Sequence, residues 1–408
     1  PYGRGELDNH KGKGAQMIKR IDEISNSCTG CMACRDVCPK GCISPAVRED
    51  GFRYAALSEE DCINCGRCAA VCPAVIQKKN DRGAHLYAAW AKDEKTRSGG
   101  SSGGVFELLA RHFLSEGYAV CGAAFEGTVL KHRIIKSGEE LAPLLKSKYV
   151  QSDTTGIYEK ILSMVKNGEK VFFCGTPCQV SALVNVMPDS LVDSIITADI
   201  ICHGVPSQKT FDMYIRTLEK KHEGRVGRFS FRVKDNKYRH AHGFSYTVYK
   251  NGKEKTENGI YLNSSFYNAF KKYLFFRESC YFCPYAAPER VSDITLGDFW
   301  GIEKWIDADT DRGVSLVMTN TDKGGDAFDA VKENVILKEL PVEYGIESNY
   351  CLKNATKKPK NRDKIIESLN KNGYEATEKA YFCCSPAEKV YAMLPPKIRG
   401  LRKKIRKR

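Results

Sequence analysis

Residues 28–39 read CTGCMACRDVCP and residues 62–73 read CINCGRCAAVCP, two copies of C-x-x-C-x-x-C-x-x-x-C-P set 34 residues apart. Three cysteines at this spacing wrap one corner of an iron-sulfur cube. The fourth, carried past a turn and followed by proline, reaches the other cube of a pair. The spacing predicts one 4Fe-4S cluster on Cys28, Cys31, Cys34 and Cys72 and a second on Cys62, Cys65, Cys68 and Cys38. Gly30, Ala33, Gly66 and Ala69 are small enough for backbone amides to approach the sulfurs. A pair of zinc ribbons would lack the third C-x-x-C step and the C-P ending. Cys42 falls outside the pattern and is expected as a small buried hydrophobe. Two such clusters form a wire for single electrons and do no substrate chemistry themselves.

The 408 residues are enough for two or three domains. No stretch approaches the roughly 18 to 20 apolar residues needed to span a bilayer. SIITADIIC (194–202) is short, carries Asp199 and reads as a buried strand. The opening PYGRGELDNHKGKGAQM has no apolar core of a signal peptide. Met17 before IKRIDEIS looks like a natural start, so residues 1–16 are expected to be a vector-derived leader. Eighteen cysteines at ligand spacings without an export signal point to a reducing cytoplasm and metal binding. The net charge of +14 favours acidic partners, though part of it sits in the last residues, LPPKIRGLRKKIRKR. There Ile398, Leu401 and Ile405 suit an amphipathic helix on an anionic membrane surface, and a disordered basic tail suits them equally. The expected location is cytoplasmic, or peripheral at the inner membrane surface, and no nucleic-acid partner is expected.

From residue 86 strands and helices alternate. LYAAWA (86–91) reads as a strand, followed by SGGSSGG (98–104) and a helix burying Val105, Leu108, Leu109, His112 and Phe113. YAVCGAAF, KVFFC and SIITADIIC read as further strands, with helices at about 154–167, after GTPCQ, and at 208–222. Such alternation implies a mainly parallel sheet. From 226 to 262 three antiparallel strands are expected, the last two joined at Asn251-Gly252. His240 and His242 would share a strand face but lack a third ligand, so no metal is expected there. From about 355 the chain is Lys-rich and loosely patterned.

KVFFC and SIITADIIC both end in cysteine-bearing loops, GTPCQ with Cys178 and CHG with Cys202. In a parallel sheet these loops share the carboxyl edge, where ligands gather. With Cys280 and Cys283 of ESCYFCPY they make four thiolates, enough for a third cluster. Cys174 rivals Cys178 but ends a strand and is expected in the core. A structural zinc site on the same four cysteines stays open.

SGGSSGG, LKSKYVQSD, FFCGTPCQVSAL, ICHGVPS and RESCYFCPYAAPERVSDITLGDFWG resemble, in that order, the motifs of the coenzyme F-420 (deazaflavin) hydrogenase/dehydrogenase beta-subunit family. The resemblance runs from about 85 to 350, with a bacterial-type ferredoxin domain fused in front. It implies a bacterial ferredoxin-like domain at 17–80, an α/β flavin and iron-sulfur domain at 84–350 with a partly parallel sheet and an antiparallel region, and a Lys-rich region at 351–408. It also implies FAD beside a 4Fe-4S cluster. Ser98, Gly99, Gly100, Ser101, Ser102, Gly103 and Gly104, opening a helix, would approach the FAD diphosphate. Thr176, Pro177 and Gln179 would lie near the isoalloxazine, and Lys148 would balance a flavin or phosphate charge. His203, beside Cys202, is the candidate proton donor. Arg290 is a candidate partner for an anionic cofactor, while Asp293, Asp298 and Trp300 are expected to cap turns or pack, Trp300 in the core.

The expected function is an iron-sulfur flavoprotein oxidoreductase. It would take electrons from ferredoxin or another low-potential donor and reduce a small organic substrate. One alternative is a subunit exchanging hydride with coenzyme F-420 in a hydrogenase or dehydrogenase. Another is a non-catalytic electron-transfer subunit. A homo-oligomer or a place in a larger complex is expected.

Overall fold

The structure, a computed structural model, describes residues 20–80, 84–234, 243–307, 309–310, 312–383, 388 and 390. The expected leader, the pair His240 and His242, and the basic tail lie outside them. No helix among the described residues is long and apolar enough to cross a membrane.

In the cysteine-rich unit each C-x-x-C-x-x-C loop runs into one short helix, α1 (Ala33–Asp36) and α2 (Arg67–Ala70). A hairpin of β1 (Ile43–Val47) and β2 (Arg53–Leu57) lies between them, Ile43 facing Leu57. The repeat is visible in the backbone. Gly30 and Asn64 occupy equivalent positions, as do Met32 and Gly66, and all four have positive φ. This curls both loops into concave turns able to present N–H groups to a negatively charged guest.

Beyond this unit come β3 (His85–Ala91), α3 (Glu94–Gly99), α4 (Val105–Ser115), β4 (Ala119–Glu126) and β5 (Val129–Ile135). They are followed by α5 (Ile157–Lys166), β6 (Val171–Gly175), α6 (Pro177–Val186), β7 (Ile195–Ile200) and α7 (Gln208–His222). Then come β8 (Arg225–Val233), β9 (Gly243–Lys250), β10 (Lys253–Ile260), α8 (Ser265–Lys271), β11 (Ile294–Asp298), β12 (Ser315–Thr319) and β13 (Val335–Leu340). Eight strands form one sheet, ordered β13-β3-β12-β11-β7-β6-β4-β5. β11, β7, β6 and β4 run parallel and the flanking strands pair antiparallel, so the sheet is partly parallel, as the family resemblance implied, and less parallel than the strand-helix alternation alone suggested. β6 and β7 are buried along almost their whole length, as central strands of the sheet, with Thr197 and Asp199 the polar residues of β7.

β10, β9 and β8 form a separate antiparallel sheet. Asn251 and Gly252 both have positive φ, the turn that matches strand twist. This sheet shares an aromatic core with α7 and α8, centred on Phe211, Phe231, Phe266 and Phe275. Residues 362–377, in the stretch read as loosely patterned, form two helical segments broken at Gly373, which add Ile365 and Leu369 before the break and Tyr374 after it to that core. On α4 the buried face is Val105, Leu109, Ala110 and Phe113, with Leu108 and His112 only half covered.

The cysteine-rich unit is tied to the body by polar contacts. α5 begins at Gly156, which has no side chain to cap it. Asp36 supplies the cap from the other unit, accepting from the N–H groups of Gly156 at 2.9 Å, Tyr158 at 3.2 Å and Glu159 at 3.4 Å. The Thr154 hydroxyl donates to the carbonyl of Cys31 at 2.7 Å. Asp36→Ala should therefore cost about 1–2 kcal/mol, the usual worth of a helix cap. Amide exchange at Gly156, Tyr158 and Glu159 should accelerate with it. Unchanged exchange there would contradict the assignment of this cap.

Candidate functional site

Of the repeat cysteines, Cys28, Cys31, Cys34 and Cys72 are brought together as one set, and Cys38, Cys62 and Cys68 pack against the same cluster of side chains as Cys28, Cys34 and Cys72. Cys28, Cys31, Cys34 and Cys72 are each no more than 7% exposed and close enough to perturb one another electrostatically. Burial pushes the Cys31 and Cys72 thiols up to about 12, and neighbouring cysteines add to the shift. The second set lies nearer solvent, with Cys65 exposed and Cys38, Cys62 and Cys68 half-buried. Cys42 is buried as expected, but its sulfur lies 3.3 Å from that of Cys38 and it borders the second set rather than a purely apolar core.

The other half of the C-x-x-C pair is found at the sheet edge. Cys178 stands in the first turn of α6, Cys202 just past β7, and Cys280 and Cys283 on the loop after α8. Cys178 feels Cys283, and Cys202 feels Cys280, Cys178 and Cys283. Burial raises all four thiols, Cys178 to about 11 and Cys280 to about 12. Thiols so placed ionise only when a cation compensates for lost water, which suits iron ligands. A tetrahedral zinc site would draw its sulfurs to about 3.8 Å of each other, given Zn–S bonds of about 2.3 Å. Among the described residues no three His, Cys, Asp or Glu side chains are grouped to hold a single metal ion.

Cys174 is half-buried and packs against the hydrophobic core cluster around Phe172, the packing role expected of it. It neighbours Cys121, Asp199 and Lys148 instead of the four thiols, and its carbonyl meets His132 Nε2 at 3.2 Å.

These thiols form one wall of a cavity of about 940 Å³. Gly100, Ser101, Ser102, Gly104, Lys148, Thr176, Pro177, Gln179 and His203 also line it. Ser98 is exposed on α3 and Gly99 ends that helix, both outside the lining. Gly103 serves the sheet: a Cβ there would lie 2.3 Å from the carbonyl oxygen of Ala89, and its N–H donates to Ser315 at 2.9 Å. The carbonyls of Ser101 and Ser102 are held by Arg232 and Lys234. Gln179 spends its amide on the α6 cap, accepting from Thr176 N at 3.0 Å and donating to Ser152 Oγ at 3.0 Å. It therefore shapes the loop carrying Cys178. His203 is held by Cys351, Nδ1 to Sγ 3.4 Å, and stacks on Tyr273, while burial lowers its pKa.

The cationic lining was only partly foreseen. Arg232, 3% exposed, forms a forked ion pair with Asp298 at 2.8 and 3.1 Å. Arg228 has positive φ and the register shifts beside it, so strand alternation gave no sign that Arg232 points inward. Arg290, expected near an anion, is instead paired with Asp199 at 2.9 Å in the core. Asp293 accepts from Thr197 and Thr321, the capping role expected. Trp300 is not in the core; it is 42% exposed and lines the cavity, as does Phe282 at 71%.

Lys148 donates to Leu145 O at 2.8 Å, and burial lowers its pKa to about 7. Lys234 is likewise lowered to about 7, by burial first and by Arg232 next. Of the two, Lys148 lines the cavity, where an anion would favour its charged form, and Lys234 braces the carbonyls of Arg97 and Ser102 beside it.

Residues 27–76 match the 4Fe-4S dicluster domain family. Residues 168–343 match the family described as the C terminus of the coenzyme F420 hydrogenase/dehydrogenase beta subunit. An uncharacterized ferredoxin of Methanocaldococcus jannaschii is 48% identical over 57 residues, 14% of this chain and 73% of the ferredoxin. A chain of the F420-reducing NiFe hydrogenase complex of Methanosarcina barkeri is 16% identical with a TM-score of 0.41, covering 74% of this chain and 91% of that one.

The lysine burial predicts a pH signature in protein stripped of small molecules. Below about pH 7 the folded state bears the cost of a charged buried Lys148. Between about 7 and its ordinary value of 10.5 the unfolded chain holds the extra proton, so stability gains with rising pH. Lys148→Met should be more stable than the parent at pH 6 and lose most of that advantage by pH 10. An advantage independent of pH, measured by denaturant titration, would refute the burial of this charge.

Proposed function

Because this chain belongs to the coenzyme F420 hydrogenase/dehydrogenase beta-subunit family and carries a 4Fe-4S dicluster domain in front, we propose that it is an iron-sulfur flavoprotein oxidoreductase delivering electrons to an organic substrate. The observation that carries this reading is one cavity bounded by four half-buried thiols on one wall and by a glycine-serine loop with lysines on another. Cys178, Cys202, Cys280 and Cys283 would hold a third 4Fe-4S cluster. Gly100, Ser101, Ser102 and Lys148 would hold the FAD diphosphate, with Lys234 bracing the loop, and Thr176 and Pro177 would border the ring. When bound, the clusters supply single-electron steps and the flavin couples two of them to a hydride-type transfer.

The residues suit these groups chemically. Four thiols raised by burial match iron. At Gly100 a Cβ would lie 3.0 Å from the Gly104 Cα, so the loop doubles back as a bare-backbone cradle. The positive end of α4 adds favourable charge for a diphosphate. His203 would hold a proton at the cavity wall for a reduced substrate.

The order of the wire follows from burial. The second cysteine set reaches solvent at Cys65, whereas Cys31 of the first set lies close enough to influence Cys178. Electrons from ferredoxin or a similar donor would enter at the exposed set and leave by the buried one. The family also favours a second reading, in which coenzyme F420 is the hydride partner. Loss of its characteristic absorbance on mixing with the reduced protein distinguishes the two.

Anaerobically purified protein should contain about twelve iron and twelve sulfide per chain, from three four-iron cubes, with one FAD. About eight iron with one zinc would overturn the third cluster. In Cys283→Ala, reduction of bound FAD by reduced ferredoxin should collapse while its photochemical reduction survives. Transfer from ferredoxin at the parent rate would remove this site from the path, and the same loss in Cys174→Ala with Cys178→Ala harmless would exchange those two residues.

A further inference from the structure

Arg277 is 1% exposed, yet among the described residues no carboxylate lies within ion-pair distance of it. Its Nη1 donates to Cys28 O at 3.1 Å, Nη2 to Arg53 O at 2.6 Å, and Nε to Gln151 Oε1 at 2.9 Å. The guanidinium carbon lies 4.7 Å from the ring centres of both Phe52 and Tyr54. The same residue's carbonyl accepts from Cys280 N at 3.0 Å. One residue thus touches the ligand loop of the first cysteine set by its side chain and that of the third set by its backbone. Gly30, in the first loop, is required for this approach, since a Cβ there would fall 2.4 Å from Nη2.

A buried cation without an acid beside it is costly unless something negative is near. Neutral carbonyls and aromatic faces satisfy its hydrogen bonds but leave its charge uncompensated. Cluster-bound thiolates would compensate it. Each one-electron reduction adds a negative charge to a cluster and takes no proton from the guanidinium, which stays protonated throughout. A fixed cation favours the reduced form and raises the potential, and its influence falls off with distance.

We propose that Arg277 sets the reduction potentials of two clusters together, the one on Cys28, Cys31, Cys34 and Cys72 and the one on Cys178, Cys202, Cys280 and Cys283, holding both above the value they would have without it. The more exposed set on Cys38, Cys62, Cys65 and Cys68 lies outside its reach. Its hydrogen bonds reach the loop of Cys28 and, through its own carbonyl, Cys280, and none of them reaches the segments that carry Cys38, Cys62, Cys65 or Cys68. Matched potentials at the two inner clusters would let an electron move between them with little loss of driving force. Arg277 is a positioning and tuning residue rather than a catalytic one.

This inference rests on the proposed third cluster. The test is a potentiometric titration of the anaerobic holoprotein, followed by electron paramagnetic resonance, on the parent, Arg277→Gln and Arg277→Lys. In Arg277→Gln two of three potentials should fall and the third should stay. In Arg277→Lys, which keeps the charge, all three should stay near the parent. Three unmoved potentials in Arg277→Gln, or an equal fall in Arg277→Lys, would overturn the proposal. If Arg277→Gln does not retain iron, Gln151→Glu puts a carboxylate beside Nε without shortening any side chain. The same two potentials should then fall, and unmoved ones overturn the proposal. A parent with only two clusters would sink the third-cluster reading instead, whereas three clusters with unmoved potentials would sink the Arg277 inference alone.

Discussion

Taking a guanidinium out of water costs several kcal/mol unless its N–H groups find acceptors, and Arg277 finds its acceptors in three separate segments, one of them the start of β2. Two of these, at Cys28 and Arg53, belong to the cysteine-rich unit; the third, at Gln151, belongs to the body. Gln151 in turn donates to Thr29 O at 2.8 Å. The two units cannot slide without stranding this buried charge, so the distance from the first thiol set to the sheet edge is held by hydrogen bonds. Asp36 on α5 and Thr154 on Cys31 reinforce the same seam. For electron transfer, whose rate falls steeply with separation, a rigid seam is the functional requirement.

Burial grades along the chain of thiols. The outer set is partly open, the inner set is almost closed, and the sheet-edge set looks into the cavity. On the proposed reading, electrons enter where a partner can touch and leave where water is scarce. The cavity beyond carries cations whose charge is held in reserve by burial. Burial lowers the pKa of Lys148 at the cavity wall and of Lys234 behind the loop, and a phosphate in the cavity would favour the charged form of Lys148. Arg232 is different, its charge already committed to Asp298.

The parts legible in the sequence were those fixed by short-range spacing or by sheet topology. Cluster ligands recur at fixed intervals because a cube admits few loop lengths, and the eight repeat cysteines could be read directly. Cys178 and Cys202 could be paired because adjacent parallel strands must end on one edge, although the flanking antiparallel strands left the parallel character of the sheet overstated. What stayed hidden depended on contacts between distant segments. Gly103 belongs to a phosphate-like loop but is small because β3 and β12 crowd it. Arg290 resembles an anion-binding arginine yet answers Asp199 in the core. Arg277 stands three residues before Cys280, inside the RESCYFC motif, but its partners lie some 250 positions away in the chain at Cys28. The bulge at Arg228 broke the alternation that would have turned Arg232 inward on paper.

Anomalous diffraction at the iron edge from anaerobically grown crystals tests the central claim most directly. The account predicts three iron centres per chain: one within Cys28, Cys31, Cys34 and Cys72, one within Cys38, Cys62, Cys65 and Cys68, and one within Cys178, Cys202, Cys280 and Cys283 at the cavity wall. Two iron centres confined to the repeat, or a third ligated by Cys174 in place of Cys178, would contradict it.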